Sequence, residues 1–410
     1  MTRTERQLLA IDKWRDCGGR ASVVMATGVG KTRTAIMAIE RVTTRNPNLI
    51  IRVIVPTRVL KKQWEDIIDE QQWSLDIEVL VANTASRKPF KCDFLVMDEA
   101  HRYAAEQLSK VFSNCAPALI LGLTATYERL DGREKLILDK YCPVCDTVTI
   151  EEATANGWLA PYTEYKVYID VDLTEYQKAN AEFMQHFAFF DYDFKLAMDC
   201  VTNVFAQQAL AKQMNCKLSE VKAHTYAWNR ALQFRKSFVA NHPRKIEVAK
   251  QIIAARPDKK IITFNTSIEQ CNAYGFGYVV HSKKSKKENE EILEEFSRCK
   301  TGCLHNSKIL MEGLDCPGLS VAIVTGFTSS KTNKIQTIGR TIRFEPNKKA
   351  EIFTLVLRNT VEEQWYKKAS ETKNFIEINE QELNMVLNSE TLKNKKVKTQ
   401  EKVNNDLLRM

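Results

Sequence analysis

Met25-Ala-Thr-Gly-Val-Gly-Lys-Thr32 is the stretch from which the rest of the chain can be read. Just before it, Ala21-Ser-Val-Val24 is a short β-branched run that predicts a buried strand. Just after it, Arg33 to Arg41 carries helical apolar spacing at Ala35, Ile36 and Ile39, continued by Val42. Strand, glycine loop and helix in that order make a phosphate-binding loop. Gly28 and Gly30 admit backbone conformations that a Cβ would forbid, so consecutive N–H groups of Thr27, Gly28, Val29 and Gly30 converge on one anion at the positive end of the helix. Lys31 then reaches the β- and γ-phosphates, and the Thr32 hydroxyl is placed to ligate Mg²⁺. Met25 stands where the strict pattern has its first glycine. A glycine-rich turn ahead of a helix would explain the loop if it stood alone.

It does not stand alone. The apolar run Phe94-Leu-Val-Met97 leads into Asp98-Glu-Ala-His101, which puts two adjacent carboxylates at the carboxyl end of a strand. Ligands bind at that edge of an open α/β sheet. Asp98 is placed to hold Mg²⁺, directly or through water, and Glu99 to polarise an attacking water.

These two blocks resemble the nucleotide site of superfamily 2 helicases and translocases, and five further blocks follow the family's order. They are Val55-Pro-Thr-Arg-Val-Leu60, Gly122-Leu-Thr-Ala-Thr126, Ile261-Ile-Thr-Phe264, Glu312-Gly-Leu-Asp315 and Gln336-Thr-Ile-Gly-Arg-Thr-Ile-Arg343. Within the superfamily, Leu123-Thr-Ala-Thr-Tyr-Glu-Arg-Leu-Asp-Gly132 and Met311-Glu-Gly-Leu-Asp-Cys-Pro317 are most similar to one branch. That branch holds the TFIIH DNA translocase, the motor subunits of some restriction enzymes and phage UvsW-type branch-migration helicases.

The resemblance implies two RecA-like parallel-sheet lobes. Alternating strand and helix patterns place strands near 21–24, 50–55, 77–81, 94–97, 119–123 and 147–150, then near 260–264, 278–280, 308–310, 321–325 and 351–357. The expected division is a first, ATP-binding lobe over 1–165, a mostly helical insertion over 166–242, a second lobe over 243–370, and a basic C-terminal tail over 371–410. The stretch 173–240 is nearly free of Gly and Pro and rich in Ala, Gln, Lys and Phe, which predicts consecutive helices. Its aromatic series Phe183, Phe187, Phe189, Phe190, Tyr192 and Phe194 is expected to pack as core, with base stacking as the alternative. Lys212, Lys217, Lys222, Arg230, Arg235 and Lys236 suit either a phosphate-facing surface or a solvated face. Lys393, Lys395, Lys396 and Lys398 make the tail basic.

The family also implies roles for residues away from the loop. Gln7 resembles the adenine-reading glutamine, with Arg3 and Thr4 near the position of the usual arginine. Arg340 and Arg343 are expected to face the γ-phosphate from the second lobe, with Arg343 as arginine finger and Gln336 beside them. Thr57, Arg58 and Thr325 are expected to grip nucleic acid. His101, Thr124, Thr126, Gly313 and Asp315 are expected to couple that grip to the nucleotide, Gly313 and Asp315 from within the nucleotide cleft.

Composition is consistent with this. A chain of 410 residues has room for about two to three domains. The net charge of +9 favours a polyanionic partner. Eleven scattered cysteines suggest reduced thiols in a cytoplasmic compartment, the host's if the source is viral. Cys142-Pro-Val-Cys145 and the group Cys299, Cys303 and His305 lack the spacing of a zinc site, and no apolar run is long enough to span a membrane. The expected function is therefore an ATP- and Mg²⁺-dependent helicase or translocase. Its substrate is single-stranded, forked or branched DNA in phage or bacterial replication, recombination or repair. The alternatives are an RNA helicase, and a motor subunit that remodels nucleic acid for a partner nuclease or recombinase.

Overall fold

The apolar runs that predict buried strands form two parallel sheets. The computed structural model describes residues 1–127, 132–307, 316–326, 345, 348–369, 374–388 and 398–399. In the first sheet the strands are β1 (Arg20–Met25), β2 (Ile51–Val55), β3 (Ile77–Val81), β4 (Phe94–Asp98), β5 (Leu119–Thr124) and β6 (Val144–Val148). Their spatial order is β3-β2-β4-β5-β1-β6, and every neighbouring pair is parallel. All five residues of β4 are buried, because helices cover both faces of such a sheet and leave its central strands no polar side. Val23, Val53, Phe94, Val96, Leu121 and Leu123 anchor its core.

This order places the site. In a parallel sheet all strands end at one edge, so the loop after β1, the Thr124 end of β5 and the Asp98 end of β4 lie side by side. Helix α1 (Arg3–Asp16) starts at a capping box of Thr2 and Glu5, and packs near β1 and β6. Helix α2 (Lys31–Thr43) follows the loop, and α3 (Arg58–Glu70) follows β2.

The second sheet joins β7 (Tyr162–Ile169), β8 (Lys260–Asn265), β9 (Tyr278–His281), β10 (Gly302–Ser307), β11 (Leu319–Val324), β12 (Ala350–Leu357) and β13 (Asn374–Asn379). The order is β13-β7-β12-β11-β8-β10-β9, all parallel, with the two-residue β14 (Lys398–Thr399) antiparallel on β13. Two lobes of this kind match the expected fold class.

Local details differ from the sequence expectation. β7 crosses residue 165 and pairs along its whole length with β12, so this segment belongs to the second sheet although it precedes the insertion. Sequence could not place it, because what fixes it is pairing with residues 350–357, far away in the chain. The sixth strand lies at Val144–Val148 rather than 147–150, since Thr149 ends it by capping the helix Ile150–Ala155. The expected strand at 308–310 lies outside the described residues; β10 occupies the six residues before it.

Between β7 and β8 run five helices, α4 (Thr174–Ala188), α5 (Phe194–Thr202), α6 (Val204–Gln213), α7 (Leu218–Asn241) and α8 (Pro243–Ala254). Phe183 and Phe190 are buried around Trp228, with Phe187 and Phe189 partly buried beside them. Tyr192 and Phe194 are exposed, against the expectation of core, because Tyr192 lies on the turn before α5 and Phe194 is the first residue of that helix. Among the basic residues, Arg235 lies 4.1 Å from the Phe183 ring centroid and Arg230 pairs with Glu182, whereas Lys212, Lys217 and Lys222 are exposed.

Candidate active site

The loop between β1 and α2 is held open by two glycines with positive φ, Gly28 at 92° and Gly30 at 101°. Gly30 is also fixed from outside, since a Cβ there would come within 2.5 Å of Gln7 Nε2. Gln7 is buried on α1, and its amide donates to the Val29 carbonyl at 2.9 Å. It therefore braces the loop in this structure. Nothing in the sequence marks the residue before it, Arg6. Its guanidinium grips Asp146 of β6 and donates to Glu152 at 2.7 Å, which locks α1 in place. Burial alone would raise the Asp146 carboxyl, but Arg6 and Lys13 outweigh it and hold the group below the usual aspartate range.

Across the sheet edge, Lys31 Nζ lies 3.7 Å from Glu99 Oε1. Their strands, β1 and β4, are separated by β5, so the contact spans two strand spacings, about 10 Å. Glu99 adopts φ 51°, an uncommon left-handed conformation for a residue with a Cβ, and opens the 3₁₀ turn Ala100–Ala104. That turn brings His101 back beneath the site. His101 Nδ1 lies 2.9 Å from Thr124 Oγ1 and 3.5 Å from Glu99 Oε2. The Thr124 hydroxyl donates to the Thr126 carbonyl and accepts from the Thr126 N–H at 3.2 Å, so His101 Nδ1 serves as a donor to it. Asp98, Glu99, His101, Thr124 and Thr126 thus form one connected cluster.

Asp98 is buried. Its Oδ2 accepts the indole N–H of Trp64 and its Oδ1 the Glu99 N–H, both at 3.0 Å. Burial, and then the nearby Glu99, push its carboxyl above the ordinary value, against the opposing pull of Lys31 and these hydrogen bonds. Trp64 is likewise unmarked in the sequence. With Leu60, Ile67 and Ile68 it reads as an ordinary apolar helix stripe, and only the buried carboxylate reveals a use for its N–H.

The cluster fits a polyphosphate with a divalent cation. Thr27 Oγ1 and Glu99 Oε2 are buried without a hydrogen-bond partner, an arrangement that costs free energy unless a ligand completes it. Gly28 to Thr32 would hold the phosphates, and Thr32 and Asp98 the Mg²⁺.

The remaining expected residues fall in three groups. Thr57 caps α3, its Oγ1 accepting from Leu60 N at 3.3 Å, and Arg58 beside it is exposed. Thr325 does not offer itself to a strand of nucleic acid. It is fully buried, and its hydroxyl is committed to Asn265 Oδ1 at 2.8 Å and Phe264 O at 3.2 Å. Gly313, Asp315, Gln336, Arg340 and Arg343 lie outside the described residues, as do Lys393, Lys395 and Lys396. No group of three or more His, Cys, Asp or Glu side chains suited to a metal occurs among the described residues. In the two cysteine-containing groups, Cys142 is buried at the foot of β6, and His305 is engaged by Thr263 in the second lobe's core. None of the helices among the described residues is long and apolar enough to cross a membrane.

Residues 1–81 and 74–129 match the family described as type III restriction enzyme, res subunit, and residues 244–345 match the helicase conserved C-terminal domain. The chain belongs to superfamily 2 of the helicases and translocases. It is 28% identical over 365 residues to the DNA 3'-5' translocase XPB2 of Sulfurisphaera tokodaii, covering 84% of this chain and 79% of that protein. This places it with the XPB-like branch. The superfamily fold recurs in the Hef helicase domain of Pyrococcus furiosus (TM-score 0.53, 17% identity, 89% of this chain and 97% of that one). It recurs too in Saccharomyces cerevisiae Dbp5 bound to RNA and ADP BeF3 (TM-score 0.59, 13% identity, 93% and 91%). As a superfamily 2 helicase the protein is an ATP-hydrolysing enzyme.

Proposed function

We propose that this enzyme is a DNA motor of the XPB-like branch that acts on forked or branched DNA in replication, recombination or repair, in a phage or a bacterium. The observation that carries the proposal is the convergence of Lys31, Asp98 and Glu99 at one sheet edge, with His101 linking them to Thr124. The similarity to a DNA translocase over most of both chains favours DNA as the polymer.

In this scheme the loop from Thr27 to Thr32 and Lys31 bind the triphosphate, and Gln7 keeps the loop in shape with its side chain near the base. Thr32 and Asp98 orient Mg²⁺, which supplies positive charge to the phosphates when bound. Glu99 Oε2 orients the attacking water and takes its proton. Gly313 and Asp315 line the cleft from the second lobe. Arg340 and Arg343 place positive charge against the γ-phosphate, with Gln336 beside them, so hydrolysis requires closure of the lobes. Thr57 and Arg58 contact the nucleic acid, and the His101–Thr124–Thr126 cluster couples that contact to the nucleotide.

The match of the first lobe to a restriction-enzyme subunit supports a second reading, a motor that remodels DNA for a partner nuclease. Steady-state ATPase assays with single-stranded DNA, duplex, forks, four-way junctions and matched RNA separate these proposals. Forks or junctions are expected to stimulate turnover most. Preferential stimulation by RNA would replace DNA as the substrate, and stimulation by plain duplex without strand displacement would favour the partner-dependent motor.

A further inference from the structure

Trp64 is 2% exposed, yet its single polar atom reaches the buried carboxylate of Asp98. The indole Nε1–H donates to Asp98 Oδ2 at 3.0 Å while the Glu99 N–H holds Oδ1 at the same distance, so both oxygens of this carboxylate are oriented. The two donors differ in origin. The Glu99 N–H belongs to the turn at the end of β4, whereas Trp64 arrives from α3, the helix capped by Thr57. Trp64 lies two turns from that cap, about 10 Å along a rigid helix. Thr57 and Arg58 at the start of α3 and Asp98 at the end of β4 are therefore connected by one helix and one hydrogen bond.

We propose that Trp64 is a positioning residue for Mg²⁺. Its N–H sets the Asp98 carboxylate for the cation and makes that setting depend on the position of α3. The inference rests on the assignment of Asp98 to Mg²⁺. Partners that orient a metal-binding carboxylate commonly change metal affinity by about 10–100-fold when removed. The Trp64 ring also packs against the first lobe's core, so its N–H must be removed without its volume.

The test is binding of a fluorescent N-methylanthraniloyl ADP to the full chain across a Mg²⁺ titration, with a parallel series in EDTA. Two replacements serve, Trp64→Phe and the isosteric 3-benzothienylalanine at position 64, in which sulfur replaces the N–H. The expected result is that half-maximal strengthening of nucleotide binding needs about tenfold more Mg²⁺ or above, with affinity in EDTA unchanged. An unaltered Mg²⁺ requirement would overturn the proposal, and so would weakening that is equal with and without Mg²⁺, the signature of a packing role alone. If Trp64→Phe does not fold, the benzothienyl protein decides. Asp98→Asn tests the underlying assignment separately: it should abolish the Mg²⁺ effect, and a retained effect would remove the assignment itself rather than the role of Trp64.

Discussion

Gly30 is constrained twice, by a φ of 101° and by the Gln7 amide that a Cβ would meet at 2.5 Å. Gly30→Ala should therefore cost about 1–3 kcal/mol of stability. Nucleotide affinity should fall by at least tenfold, because the amides can no longer converge. Thermal unfolding and nucleotide binding of the variant check both. The glycines, Lys31, Asp98 and Glu99 were legible in the sequence because a phosphate loop and a carboxylate pair each follow a continuous apolar strand. Arg6, Trp64 and the burial of Thr325 were not. Each owes its role to a partner at least 34 positions away, such as Asp98 for Trp64, and nothing local in the sequence marks such a partner.

At the scale of elements, α1 is fastened to β6 by Arg6 and Lys13 on Asp146. Asp146→Asn leaves a buried guanidinium with less compensation, and a loss of about 3 kcal/mol is expected, read as a lower midpoint in urea. The pH dependence has a definite sign. A carboxyl held below the usual range contributes its stability above about pH 4, where it would be ionised even in the unfolded chain, and loses it as pH falls through the lower folded value. The difference between wild type and Asp146→Asn should be full at pH 6 and shrink below pH 4. A difference that persists unchanged at pH 2 would contradict the pairing. The helices of the insertion were legible from composition, because residues 173–240 lack helix breakers. The placement of β7 was not, because strand partners in a parallel sheet are chosen by tertiary packing and a long crossover.

For the molecule as a whole, the order β3-β2-β4-β5-β1-β6 brings the ends of β1, β5 and β4 to one edge, where the loop, Thr124 and Asp98 meet. The second parallel sheet supplies the other RecA-like lobe, and nucleotide-dependent closure between such lobes would drive translocation. That scheme places the chemistry on Glu99, whose Oε2 is buried without a hydrogen bond and 3.5 Å from His101 Nδ1. The most direct test is the steady-state ATPase rate of wild type and Glu99→Gln with saturating forked DNA, alongside nucleotide binding. The account predicts a fall in turnover of about 10²–10⁴-fold with nucleotide affinity retained. Turnover by Glu99→Gln at the wild-type rate would contradict it.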